Sequence, residues 1–300
     1  MKEIRTRRIF ASIASLVFTL ACSTIVAPVT RELRSPTGSL LYASDQSGNF
    51  EIFQLKFSDG IPVRLTNNTS EDFPYLLLPN GQIFFLSDET GKYQIYMMNL
   101  DGTNQIKWST NDDNDYGSPS LSPDGKKLIY AVQTDEKNSN LFMSNLDGSE
   151  EKQLTFVWGM DWDPSWSSDG QKIVYASNSD SDWDVYILTV ADLSIEKITS
   201  NSNYDGHPRW SPNGDKILFD SDRDGDWDIY VMGLDGKNVR PATENGTQEW
   251  LPNWSPDGKW IVYASQRDGD DEIYIVQEDG TNQTKLTNNN GQDRYPIWVP

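Results

Sequence analysis

Carboxylates recur along this chain at a fixed offset from a proline, and the offset limits the chemistry open to them. Glu71, Asp161, Asp205, Glu249 and Asp293 each stand three residues before a proline: Pro74, Pro164, Pro208, Pro252 and Pro296. A sixth copy of the pattern has Tyr116 at that position, with Asp115 one step earlier. Further acids crowd three loops: Asp180, Asp182 and Asp184; Asp222, Asp224, Asp226 and Asp228; Asp268, Asp270, Asp271 and Glu272. Carboxylates gathered in a ring can coordinate a hard cation, Ca²⁺ above all, or receive the lysines and arginines of a basic partner. The local alternative is that each one accepts backbone N–H groups of its own loop.

The run Asp220-Ser-Asp222-Arg-Asp224-Gly225 opens like an EF-hand loop, but its twelfth position is Val231, where a bidentate Glu is needed. It is not an EF-hand. Asp220, Asp222, Asp224 and Asp226 stay as a candidate loop-borne Ca²⁺ set, and no cofactor is required. His207 is the single histidine and Cys22 the single cysteine, which excludes a His-rich metal centre. His207, with no Ser or Cys partner in sight, reads as a surface loop residue. A paired-carboxylate glycosidase has acids to draw on, yet no pair is singled out. Beside the acids stand Trp162, Tyr204, Trp250 and Tyr295, candidate aromatic contacts for a sugar or peptide.

These residues must be positioned by a repeat. SPTG at Ser35, LPNG at Leu78, SPDG at Ser122, SSDG at Ser167, SPNG at Ser211 and SPDG at Ser255 return every 43 to 45 residues, a propeller-type period. Each turn leads into a short β-branched and aromatic run, strand B (LLYA at Leu40, IVYA at Ile173, ILFD at Ile217), then an acidic loop, then strand C (EIF at Glu51, DVY at Asp184, DIY at Asp228). A second turn leads to strand D (VRLT at Val63, KQLT at Lys152), and the proline-bearing strand A opens the next unit. The last strand A, at residues 295–299, has no strand B after it, and the first B-C-D set, residues 40–66, has no well-formed strand A before it. Joining them closes a ring and removes exposed edges. The expectation is an all-β, six-bladed propeller, four antiparallel strands per blade, over residues 36–300.

Units such as SPNGDKILFDSDRDGDWDIYVMGLDGKNVR and SPDGKWIVYASQRDGDDEIYIVQEDGTNQTKLT resemble the WD40-like β-propeller repeats of the TolB family. The resemblance covers the propeller alone, because only some thirty residues precede the first blade, where the family's two-domain members carry an α/β domain. It implies a scaffold that binds partners. Related repeats in oligogalacturonate lyases come with several metal-binding histidines, which this chain lacks, and peptidases with such a propeller add a hydrolase domain with a GxSxG elbow.

The N-terminus reads as an export signal: Lys2, Arg5, Arg7 and Arg8 precede an apolar run from Ile9 to Leu20. Ala21-Cys22 at its end resembles a bacterial lipobox, so residues 1–21 are expected to be removed, Cys22 acylated and residues 22–35 left as a tether. The formal charge is −20, which disfavours nucleic acid. Loop connectivity puts nearly all of the excess charge on the face carrying the B–C and D–A loops. The sequence thus predicts a monomeric, extracytoplasmic envelope protein, lipid-anchored or periplasmic, that touches membrane only through Cys22. Its acidic face would bind a protein, peptide or glycan, with the ring of five acids at the channel mouth. The competing reading is a carbohydrate-active enzyme using carboxylates there.

Overall fold

The computed structural model describes residues 36–300; the expected leader, Cys22 and the tether lie outside the described residues. Its strands form six four-stranded antiparallel sheets. Each sheet is ordered A-B-C-D, as in the fifth blade: Asp205–Trp210, Lys216–Ser221, Asp228–Gly233 and Arg240–Pro241. The first blade takes its strand A from the C-terminus: Asp293–Val299 pairs with Ser39–Ser44, Leu40 opposite Trp298 and Ser39 opposite Val299. The ring closes where the strand count said it should.

Strand B is apolar almost throughout because each blade is covered on both faces. Leu40 and Tyr42 pack with Trp260 and Val262 of the sixth blade, whereas Leu41, between them, packs with Ile83 and Phe85 of the second. Alternate side chains point to opposite faces of a strand, so one strand feeds two inter-blade cores. Six such clusters, one per blade junction, form a continuous belt. The Ser-Pro-Asp-Gly turns are self-satisfied. Ser122 Oγ donates to Asp124 at 2.6 Å, Gly125 N–H bonds the Ser122 carbonyl, and Gly125 takes φ +71°, a conformation open to glycine. Strand D is short because its terminal Thr or Ser turns inward. Thr66, Ser109, Thr155, Thr199, Thr243 and Thr287 each accept a backbone N–H from strand C at 2.9–3.2 Å.

Strand A carries the detail that builds the site. In five blades its pairing with strand B slips by one residue around the proline, as between Trp162 and Ser165 or between Gly206 and Arg209. Two residues then oppose one, and a bulge of this kind re-aims a side chain. The residue before the proline is the one re-aimed: Ser118, Asp163, His207, Leu251 and Tyr295 all have φ between +43° and +56°. Residues before proline rarely adopt such a backbone. In the second blade the slip follows the proline, leaving Tyr75 as the extra residue.

Candidate ligand site in the central channel

Bulged strands place their re-aimed residues around the propeller axis, at the waist of a channel with a cavity at each end. Tyr75 and Ser118 line both cavities. At the waist, His207 Nδ1 lies 2.8 Å from Asp220 Oδ2, which also accepts the Leu251 N–H at 3.0 Å. The other imidazole nitrogen, Nε2, faces Asp163 Oδ2 at 3.7 Å, too long for a hydrogen bond. Asp163 Oδ1 accepts from Ser118 Oγ at 2.9 Å and lies 3.4 Å from Arg209. Burial works against a charged His207, but Asp220 and Asp163 outweigh it and lift its pKa to about 9. Burial by itself would raise the Asp163 pKa; His207 and Arg209 outweigh it and hold the carboxyl below the ordinary range. The waist therefore has two carboxylates against two cations and is charged but balanced.

Above it, on the face of the B–C and D–A loops, opens a cup of about 380 Å³. Its walls are Phe73, Tyr75, Tyr93, Tyr116, Trp162, Trp183, Tyr204 and Tyr295. The rings brace one another: Phe73 and Tyr295 are 4.9 Å apart, Tyr75 and Tyr295 5.6 Å, and Trp183 and Tyr204 5.7 Å between centroids. Two glycines make room for them. A Cβ on Gly117 would fall within the Trp162 ring, and one on Gly206 within the Tyr204 ring. Burial raises the pKa of Tyr75 and Tyr204, and lifts that of Tyr295 to about 12, so all three phenols remain protonated donors.

The expected ring of acids is elsewhere. Asp161, Asp205, Glu249 and Asp293 are fully buried, so they present no carboxylate to a ligand, and the exposed ring expected at the channel mouth does not form. Three of them are held in the blade edge by asparagines: Asn201 donates to Asp205 and Asn245 to Glu249, both at 2.6 Å, and Asn289 to Asp293 at 2.7 Å. Arg223 and Arg267 add ion pairs to Asp205 and Glu249 at 2.8 and 2.7 Å. Glu71 is half-buried and accepts the Phe50 N–H. Because the bulge of the second blade follows its proline, Asp72 takes the equivalent place, opposite Ser87 and fully buried. Where no cation is supplied, burial raises the carboxyl pKa: to about 6 for Asp72 and about 7 for Asp293.

The candidate Ca²⁺ set is also divided. Asp220 turns in to His207, and Asp222 caps the Tyr204 N–H at 2.8 Å. Asp224 and Asp226 instead meet Asp228, with carboxylate oxygens within 4.8 Å of one another, and Asp180, Asp182 and Asp184 repeat that cluster. Lys197 neutralises the latter, 2.5 Å from Asp180 and 2.6 Å from Asp184. In the fifth blade the place of Lys197, opposite the strand-C tyrosine, is held by Pro241.

Of the four candidate aromatics, Trp162, Tyr204 and Tyr295 line the cup; Trp250 packs into the core between the sixth and first blades. His207 is no surface loop residue, since two carboxylates hold it at the axis. Asp163, Tyr75 and Tyr93 were not legible as site residues. The available signal was the residue before each strand-A proline, varied in type where its neighbours keep to a pattern.

The family model of the TolB beta propeller domain matches residues 27–156 and 118–265. No protein of curated function matches the sequence. Among solved structures, TolB from Acinetobacter baumannii superposes with a TM-score of 0.78 at 20% identity, over 88% of this chain and 67% of that one. Hydrazine synthase from Kuenenia stuttgartiensis gives 0.70 at 14%, over 87% of this chain and 46% of that one. An oligogalacturonate lyase from Vibrio parahaemolyticus gives 0.55 at 18%, over 83% and 74%. At these identities the superpositions speak to fold, and the sequence model speaks to kinship: the chain belongs to the TolB β-propeller domain family.

Proposed function

We propose that this protein is an exported, lipid-anchored scaffold that binds a protein, peptide or glycan without turning it over, and that the channel cup is the seat. The observation that carries the reading is the cup itself, an aromatic cavity with a charged, balanced floor opening on the acidic face. On the same face the loop after the third blade offers Phe156 and Trp158, 70% and 84% exposed, a further contact for a macromolecule. Family membership is in keeping with a binding role. Against glycan hydrolysis stands the placement of the acids: the carboxyls with raised pKa, Asp72, Asp161, Asp184, Asp228 and Asp293, are closed off from solvent, whereas a glycosidase needs a protonated acid and an ionised partner facing one bond.

Export and acylation rest on the N-terminal sequence. Labelled palmitate should enter the wild type and be absent from Cys22→Ser. For the binding role, immobilised full-length protein should retain an envelope component that Trp162→Ala releases, and the component should elute with its mass unchanged. Equal retention by the variant would overturn the reading, and an altered mass would make the protein an enzyme. If Ca²⁺ tempers the acidic face, its place is the fifth blade, where Asp224, Asp226 and Asp228 have Pro241 in place of the neighbouring lysine. Thermal stability of chelated protein should then rise with millimolar Ca²⁺, and Asp224→Asn, at the exposed end of the cluster, should abolish the rise.

A further inference from the structure

We infer that the cup takes a neutral saccharide, with a sugar ring against its aromatic wall and a hydroxyl between His207 Nε2 and Asp163 Oδ2. This rests on the binding reading above and names the ligand class for that same site.

The floor selects the functional group. His207 Nδ1 is committed to Asp220, so Nε2 offers an N–H into the channel; Asp163 Oδ2 offers lone pairs beside it, and among the described residues no hydrogen bond reaches that oxygen. A donor and an acceptor held 3.7 Å apart call for a group that both accepts and donates. An ammonium only donates and a carboxylate only accepts, whereas a hydroxyl does both. Net charge points the same way. His207 and Arg209 balance Asp163 and Asp220, so the floor attracts neither a cation nor an anion, and the acidic rim disfavours polyanions such as uronates.

The walls fit the body of such a ligand. Phe73, Tyr93, Trp162, Trp183, Tyr204 and Tyr295 are all partly exposed where they line the cavity. Flat apolar faces with polar edges suit a pyranose, which is apolar on its C–H faces and polar at its rim. The volume, about 380 Å³, lies at the small end of the range for ligand pockets, enough for the end of a chain rather than a long stretch. Gly117 and Gly206, by leaving room for Trp162 and Tyr204, show that the wall is set by the backbone and is not a loose surface cluster.

The test is calorimetric titration of the full-length protein with neutral di- and trisaccharides of glucose, galactose, mannose and N-acetylglucosamine. Digalacturonate, choline and a lysine-rich peptide serve as contrasting probes. At least one neutral saccharide should bind saturably below about 10 mM. Asp163→Asn, which keeps the shape and tolerates positive φ, should weaken it at least about tenfold, the scale of one hydrogen bond to a charged group. Gly206→Ala, which displaces the Tyr204 ring together with its hydroxyl, should weaken it too, while Leu121→Ala at the opposite mouth should leave it unchanged. Binding of choline or the peptide in place of sugars, or sugar binding indifferent to Asp163→Asn and Gly206→Ala, would overturn the inference. If no saccharide binds while envelope material is still retained, this inference fails and the scaffold reading survives; if nothing is retained, both fail.

Discussion

Two residues on one strand separate a buried carboxylate from an accessible one. Asp161 and Asp163 flank Trp162; Asp161 has no exposed surface, while Asp163 keeps an oxygen facing the channel. The difference lies in the bulge: before it, strand A is in register with strand B, and Asp161 sits opposite Ser177; within it, the chain turns to positive φ and aims Asp163 at the axis. The same holds for Asp205 and His207 in the next blade. Carboxylates of the first kind are closed inside the blade edge, those of the second kind are open to a ligand, and composition does not tell them apart.

The largest effect should come from breaking a buried ion pair. Glu249→Ala leaves Arg267, itself 23% exposed, beside an emptied and buried site, and a cost of about 3 kcal/mol is expected, measured by denaturant unfolding. Asp163→Asn should cost far less, so the comparison fails if their order is reversed.

Gly206→Ala should come next, at about 1–3 kcal/mol, because the Tyr204 ring must move to admit a methyl group. The loss should be accompanied by a change in the near-ultraviolet signal of the aromatic cup. An unaltered spectrum would mean that the wall is not fixed by that glycine.

pH should separate the two regions more gently. A carboxyl whose folded pKa stands above its unfolded value of 3.8 stabilises fully below that value and loses the contribution as pH rises through the folded pKa, about 6 for Asp72 and about 7 for Asp293. His207 follows the same sign, complete below 6.5 and lost through about 9. Asp163 runs the other way, its contribution being lost as pH falls below the ordinary carboxylate range. Tm should therefore be higher at pH 5 than at pH 8, and Asp72→Asn with Asp293→Asn should reduce that slope below pH 7, where Asp228 still contributes, but leave it unchanged above pH 7. A flat profile in the wild type would contradict the assignment.

The smallest effect should be at the far end of the channel. That cavity is larger, about 440 Å³, and is lined by Leu76, Leu78, Leu121 and Pro256 together with Ser120, Ser165, Asn253 and Arg209. Leu121→Ala should leave ligand binding within error, because Leu121 lines the opposite cavity and not the cup.

The period of the Ser-Pro-Asp-Gly turns, the alternation of apolar residues and the leftover strand at the C-terminus were enough to specify blade number, strand order and ring closure, because each depends on local spacing and on satisfying backbone hydrogen bonds. The acidic repeat was equally visible, but its role was not: whether a carboxylate three residues before a proline faces solvent depends on where the bulge falls, and that is settled by packing between strands A and B. Glu71 gave way to Asp72 for this reason alone. His207 and Asp220 meet because their strands pair within one blade, with Gly206 opposite Asp220, whereas Asp163 stands on the preceding blade and reaches His207 only because one blade packs against the next around the common axis.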